Sequence, residues 1–399
     1  MTTSGLSSTR LARMRNVMAE HVARGVVPGV VTLVSRRGEV HVEAVGVQTL
    51  GGAPMQRDSL FRIASMTKPV ATVGAMILVE ACKLRLDEPV ERLLPELADR
   101  RVLKRLDGPL EDTVPARRAI TVRDLLTMGM GLGHILANSR DVPIQKRLNE
   151  LNLLQGPPQP LSVPAPEVWM REVGTLPLMH QPGEGWMYDL SLDVLGVLIA
   201  RAAGKPLDVF LRESVFEPLG MKDTGFSVPA EQMHRLVTCY APGPRGALVV
   251  YDPAEGGQWS RPPAFPAAAS GLVSTADDCL AFGEMLLNQG RHGRERILSR
   301  PAVELMTRDV LTPEQQASAR LFVGEGGGWG LGMSVITRRT HLAWSVGSFG
   351  WDGGLGTSWR SDPVEGLVGI LLTQSAWTSP RPPEVLLDFW TTAYQAIDD

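Results

Sequence analysis

Ser65 and Lys68 stand three residues apart in Ala64-Ser-Met-Thr-Lys-Pro69. On a helix that spacing puts a hydroxyl and an amine on one face, within touching distance. A serine hydroxyl is a weak nucleophile until a base takes its proton, and a lysine serves as that base where burial lowers its pKa. With an ordinary pKa of about 10.4 the amine would be a poor base at neutral pH, so Lys68 is expected to be buried and neutral. A helix N-terminus also favours negative charge, which helps an alkoxide form at Ser65. Lysine occurs only at positions 68, 83, 104, 146, 205 and 222, which makes its place here more informative. The bland alternative is an N-cap serine followed by an exposed lysine.

Tyr188 is one of four tyrosines and lies in Gln181-Pro-Gly-Glu-Gly-Trp-Met-Tyr-Asp-Leu-Ser191, after a Pro-Gly turn and before an apolar helix. Beside a lysine it can share a proton and act as acid or base; alone it would read as a half-buried phenol with its hydroxyl in water. The third candidate is Gly350-Trp-Asp-Gly-Gly-Leu-Gly356. Glycines beside a strand permit close backbone approach, and an N–H there could join that of Ser65 as an oxyanion hole. Taken alone it would be a turn or a bulge. The three together suit acyl transfer through a serine ester. No Gly-x-Ser-x-Gly occurs, which argues against the strand-to-helix nucleophile elbow. The seven histidines show no metal-ligand spacing, and Cys82, Cys239 and Cys279 are widely separated, so no metal, cofactor or disulfide framework is expected. His134 and His180 lie near the site loops, and the structural reading of each is preferred.

The elements that must position these groups follow from pattern. Leu11–Ala23 reads as an amphipathic helix, and two strands, 29–35 and 40–45, flank a tight turn. A short strand at 60–63 leads into Ser65, and an apolar helix follows over 70–82, with Pro69 in its first turn. Helical stretches, including 194–203, then alternate with Pro-rich loops. Strand-like runs return at 331–337, 342–346, 356–360 and 367–373, the last two joined as a hairpin, and a helix over 384–396 closes the chain. The expected fold class is α/β (α+β): an antiparallel sheet flanked by helices with an inserted helical lobe. Residues 1–84 and 266–399 would build the sheet domain, and 85–265 a mainly helical insert.

Composition narrows the function classes. The chain has 399 residues and a formal net charge of -3, with no basic stripe to suggest a nucleic-acid partner. No 18-residue apolar stretch offers a membrane span, and no leader-like apolar run opens the sequence. The expected compartment is the cytoplasm and the expected partner a small-molecule ester; oligomeric state is left open.

The motifs, in this order, resemble the serine β-lactamase and penicillin-recognising superfamily, and within it the family VIII carboxylesterases, which are similar to class C β-lactamases. The stretches that carry the resemblance include Phe61-Arg-Ile-Ala-Ser-Met-Thr-Lys-Pro69, Arg123-Asp-Leu-Leu-Thr127, Asp193-Val-Leu-Gly196, Phe216-Glu-Pro-Leu-Gly-Met-Lys-Asp-Thr-Gly-Phe226, Ser270-Gly-Leu-Val-Ser-Thr-Ala-Asp-Asp278 and Gly353-Gly-Leu-Gly-Thr-Ser-Trp359. It implies a serine β-lactamase-like fold, Ser65 as nucleophile, Lys68 as its base partner and Tyr188 as third member. Trp351-Asp-Gly353 matches the family's Lys-Thr-Gly, so the N–H groups of Ser65 and Gly354 would form the oxyanion hole. An alternative register places Ser345-Val-Gly347 there.

Two departures bear on substrate. Leu190 stands where lactamases carry an amide, and Trp351 where they carry a cation. Both losses disfavour acylated D-amino acids, whose carboxylate would lie unpaired, and an aromatic wall suits neutral, apolar esters. Asp352 is expected to point away from the oxyanion. Thr127-Met-Gly-Met-Gly131 replaces the family's His-Thr-Ser-Gly, and Met128, Met130 and Trp186 are expected to complete an adaptable pocket with Leu190, Trp351, Asp352 and Gly353. The implied reaction is hydrolysis of small to medium neutral esters. Lactam or amide hydrolysis, D-stereospecific peptidase action, acyl transfer to an alcohol and a non-catalytic scaffold are the competing readings.

Overall fold

A computed structural model describes residues 5–135, 142–153 and 156–399. Six helices bear on the site: α1 (Ser8–Ala23), α2 (Thr67–Glu80), α3 (Leu190–Ala203), α4 (Ala276–Leu287), α5 (Pro313–Val323) and α6 (Glu384–Gln395). Among the described residues seven strands form one antiparallel sheet. They are β1 (Gly29–Arg36), β2 (Glu39–Gly46), β3 (Gly327–Trp329), β4 (Ser334–Ile336), β5 (Phe349–Gly353), β6 (Thr357–Asp362) and β7 (Leu367–Thr373), in the order β3-β4-β5-β6-β7-β1-β2. The β6–β7 hairpin therefore pairs with β1, with Leu33 opposite Ile370, and early and late segments of the chain share one sheet.

β1 is buried along its whole length. A strand apolar on both faces needs a layer of structure over each. Val30 and Val34 pack with Met14 and Met18 of α1 and Phe389 and Trp390 of α6. Their alternates Val31 and Leu33 face the main core, which holds Phe282 and Met285 of α4. The period of two in side-chain direction sorts the two layers. α2 is apolar nearly all round and carries no acidic residue in its first turn; it is buried from Thr67 to Met76 and packs against α3. Among the described residues no strand of the large sheet comes from 85–265, which contribute α3, shorter helices and two small strand pairs, Arg101–Leu103 with Thr113–Pro115 and Cys239–Pro242 with Leu248–Asp252. No helix among the described residues is long and apolar enough to cross a membrane.

Two strand expectations need correction. Residues 342–346 form no strand: Trp344 takes a left-handed φ of 66°, which breaks an extended run, and the Ser345 N–H turns to the Asp362 carboxylate at 3.0 Å. The run 331–337 shortens to β4. β3 escapes a reading of the sequence because Gly327 and Gly328 have low strand propensity, yet the pairing with β4 through Gly328 opposite Val335 holds them extended.

Candidate active site

Phe61–Arg62 pairs with Val273–Ser274, and this short ladder aims the chain at a single turn of 3-10 helix, Ala64–Met66, which runs directly into α2. Ala64 has a left-handed φ of 44°, a costly conformation for a residue with a Cβ. It sets Ser65 at the mouth of a cleft. Thr67 ties the turn down: its hydroxyl donates to the Ala64 carbonyl at 2.6 Å and accepts from the Leu272 N–H at 3.1 Å. α2 starts three residues earlier than the sequence suggested, so Lys68 lies in its first turn. Its Nζ donates to Ser65 Oγ at 2.9 Å and to the Ala269 carbonyl at 2.8 Å. Asp193 on α3 fixes that carbonyl by accepting from the Ala269 N–H at 2.9 Å.

The third contact of Lys68 is to Asp189, at 2.6 Å. Lys68 is fully buried. Burial alone pushes the ammonium down, but the charge of Asp189, with Tyr188 and Asp193, outweighs burial and holds it up. For Asp189 burial pushes the carboxyl up, and Lys68 and His134 outweigh it and hold it well below the usual carboxylate range. Asp193 goes the other way, pushed up by burial and by the Asp189 charge. Lys68 is thus an ammonium in this arrangement, which corrects the expectation of a neutral amine. The physical reason is a carboxylate one residue beyond Tyr188, to which the sequence assigned no role. Asp189 sits at φ 85° and ψ −70°, and the Leu190 N–H reaches back to the Tyr188 carbonyl at 3.3 Å. This is a γ-turn, a strained reversal, and it aims the carboxylate inward rather than over the end of α3.

Tyr188 lies over the Lys68 ammonium, with Nζ 4.6 Å from the ring centroid. Its hydroxyl accepts from the Trp351 indole N–H at 2.8 Å and also pairs with Ser65. Burial pushes the phenol up, ahead of the lowering pull of Lys68. Phe322 of α5 stacks on the Tyr188 ring at 4.2 Å, and Trp329 meets Trp351 edge-on at 4.7 Å. Trp351 thus holds the phenol oxygen where a lysine would stand in the resembling family.

Gly353 ends β5. A Cβ there would overlap the Ile63 carbonyl oxygen and the Thr357 hydroxyl, so glycine lets β5 press against the turn that carries Ser65. The exposed Gly354 follows and lines the cleft beside Ser65. Neither its N–H nor that of Ser65 donates to an acceptor among the described residues. The cleft has a volume of about 360 Å³ and runs from Ser65, His134 and Tyr188 to Trp351, Phe322 and Trp377. A neighbouring cavity of about 630 Å³ shares Phe322, Trp351 and Asp352 with it.

Of the residues expected to contact substrate, Trp351 and Asp352 line the cleft. The Asp352 carboxylate is committed to Ser358 at 2.6 Å and to Arg360 at 3.1 Å. Met128, Met130 and Leu190 do not line it: they are buried in the core at 0%, 0% and 1% exposure. The loop expected to offer methionines instead packs on the Tyr188 loop, with the Met187 N–H on the Met128 carbonyl at 2.9 Å. Trp186 is also outside the lining and braces Tyr188 from behind at 5.7 Å; Gly353 acts by close approach alone. Ser345 and Gly347 are outside the lining, whereas Trp351 and Gly354 are within it. His180 is outside it as well, its pKa lowered by burial. His134 is inside it, contrary to the preferred structural reading. No group of His, Cys, Asp or Glu able to hold a metal occurs among the described residues.

A family model described as Beta-lactamase matches residues 14–385. The chain is 41% identical over 361 residues to an uncharacterized protein of Mycobacterium tuberculosis, covering 88% of this chain and 86% of that one. It is 30% identical over 400 residues to Esterase EstB of Burkholderia gladioli, covering 93% and 92%. Among solved structures, EstCE1, described as a hydrolase with promiscuous acyltransferase activity, superposes with a TM-score of 0.80 at 27% identity, covering 96% of this chain and 98% of that one.

Proposed function

The chain belongs to the beta-lactamase family as a family VIII esterase-like member, and from that premise we propose that it is a serine carboxylesterase acting on small to medium neutral esters. The broader activity, serine hydrolase or acyltransferase, follows from the esterase and acyltransferase relatives. The narrower reading rests on one observation above the others: no lysine or arginine lines the cleft among the described residues, and the cations beside it, Lys68 and Arg360, are already paired with Asp189 and Asp352. A substrate carboxylate entering it would lose its hydration with no uncommitted cation in the lining to receive it, at a cost of several kcal/mol. A neutral ester carries no such penalty, and its apolar chain gains roughly 0.8 kcal/mol per buried methylene along the aromatic wall.

In the proposed reaction Ser65 Oγ attacks the ester carbonyl and its proton passes to the Tyr188 oxygen. Lys68 stays charged and stabilises the phenolate and the developing alkoxide by its charge, and the Trp351 N–H donates to the phenol oxygen. The N–H groups of Ser65 and Gly354 face the carbonyl oxygen as it becomes negative. Tyr188 then gives the proton to the leaving alcohol, which departs and leaves an acyl group on Ser65.

Aryl butyrate turnover should exceed that of a cephalosporin or a D-alanyl dipeptide at least about 100-fold in kcat/KM, equivalent to roughly 2.7 kcal/mol of barrier. Comparable values for the three would hand the site to the lactam or peptide reading. The active form has Tyr188 deprotonated, and burial raises its pKa, so kcat/KM for the ester should climb with pH along one limb between about pH 6 and 10. A profile flat or falling over that range would remove the tyrosine base. The promiscuous acyltransferase activity ascribed to EstCE1 favours acyl transfer as a second reading; product partition into a butyrate ester on adding a short alcohol measures it.

A further inference from the structure

Five residues line both the cleft at Ser65 and the neighbouring cavity of about 630 Å³: Phe322, Trp351, Asp352, Pro380 and Pro382. They stand between the two spaces. Trp351 is tied to the Tyr188 hydroxyl at 2.8 Å, and Asp352 to Ser358 and Arg360. The prolines are short, with their rings closed on the backbone. Phe322 is the one long side chain of the set that packing alone holds. On its far side the cavity offers apolar surface from Val323, Ile336, Trp344 and Leu387.

Phe322 sits in the last turn of α5. Its ring stacks on that of Tyr188 at 4.2 Å and tilts against Trp186 at 5.4 Å. The helix is anchored to the segment that leads into Tyr188. The Gln315 carboxamide caps the start of α5 with its oxygen, accepting from the Thr312 N–H at 3.0 Å, and donates from its nitrogen to the Gly183 carbonyl at 2.8 Å. The place of Phe322 relative to Tyr188 is thus set by the helix that carries it.

Which limb of an ester meets this ring follows from the proton transfer. Tyr188 hands its proton to the leaving alcohol, so that oxygen must come within hydrogen-bond reach of the phenol. The carbon groups it carries then lie against what surrounds the phenol, with Phe322 on the face of the ring and Trp351 at its oxygen. The acyl chain leaves the carbonyl carbon in another direction. We propose that Phe322 sets the size of alcohol that the site accepts; the proposal rests on the esterase reading, with Tyr188 as proton donor. The ring bounds the cleft on the Tyr188 side and shuts the alcohol limb out of the second cavity, which without it would take a larger apolar alcohol.

The test varies the two limbs separately. Ethyl butyrate is compared with biphenylylethyl butyrate, which lengthens the alcohol, and with ethyl octanoate, which lengthens the acyl chain. Both alcohols are primary, so they leave with similar ease. Wild type should turn over the biphenylylethyl ester at least about 10-fold less efficiently than ethyl butyrate, by kcat/KM. Phe322→Ala should raise the ratio of biphenylylethyl to ethyl butyrate at least about 10-fold, while the ratio of octanoate to butyrate stays within about 2-fold. Phe322→Leu should raise the first ratio by less. Phe322 is half-buried, so the leucine variant keeps the apolar contact and the fold. Ratios taken within one variant cancel any general loss from a less supported Tyr188. A wild type that takes both alcohols equally well overturns the proposal. So does a variant in which the two ratios shift together, or in which neither shifts, since that is what a ring that only braces Tyr188 would give. If wild type hydrolyses none of the three esters, the esterase reading falls instead.

Discussion

Ser65→Ala lowers kcat/KM for an aryl ester by on the order of 10⁵-fold, about 7 kcal/mol of barrier. Without the Oγ no covalent ester forms, and only the oxyanion donors and the apolar walls remain, which by themselves sustain a small residual rate. The substitution leaves the framework alone. The turn at Ala64 is held by Thr67 rather than by Ser65, and Lys68 keeps Ala269 and Asp189. The variant should therefore unfold at the same urea concentration as wild type while losing activity. A fluorophosphonate should add once, on the peptide carrying Ser65. Label on another serine, or full turnover in the variant, would remove Ser65 as nucleophile.

Asp189→Ala should cost about 3–5 kcal/mol of stability, because it strands a fully buried ammonium. The Asn variant keeps an acceptor beside Lys68 and suits a positive φ better than most side chains, so its loss should be smaller. The Asp189 carboxyl is held well below its ordinary value. Its contribution is therefore complete above the unfolded pKa of about 3.9 and is lost as pH falls through the lowered folded value. Urea midpoints measured at pH 7 and then stepwise into acid should show the gap between wild type and variant narrow. A variant as stable as wild type at pH 7 would mean that the ion pair adds nothing.

The parts of the site that sequence revealed are those in which residue type and spacing already carry geometry. Ser65 and Lys68 are fixed by helical periodicity, and Gly353 by the need for close approach. The terminal hairpin, the shared sheet and the long apolar helices were likewise legible from alternation and apolar runs. What was hidden depends on backbone direction. Asp189 carries no signal in the sequence, and only its φ of 85° turns it into the partner that decides the charge of Lys68. Met128 and Met130 read as a flexible wall, but a left-handed φ of 58° at Met128 lies in a loop whose side chains are buried. Phe322 and Trp377 come from segments far along the chain, and only the fold brings them to Tyr188 and Gly354. For the same reason His134 could not be placed from sequence: it faces Asp189, a neighbour in space but not along the chain.

The pairing of β1 with β7 sets an order of events during synthesis. The ribosome releases β1 and β2 early and β7 only near the close of the described sheet, so the inner edge of the β1–β2 hairpin waits without its neighbour through most of translation. An unpaired apolar edge of that kind is what invites mispairing and engages chaperones. The turn at Ser65 is tied to Leu272 through Thr67 before then, but Gly353 closes against it only when β5 is in place. A chain halted before β5 would already carry Ser65, Lys68, Tyr188 and Asp189, yet lack Trp351, Gly353 and Gly354 on the far wall of the cleft. On the proposed esterase reading, nascent chains should thus be inert toward esters, and activity should arrive in one step once the last hairpin has left the exit tunnel.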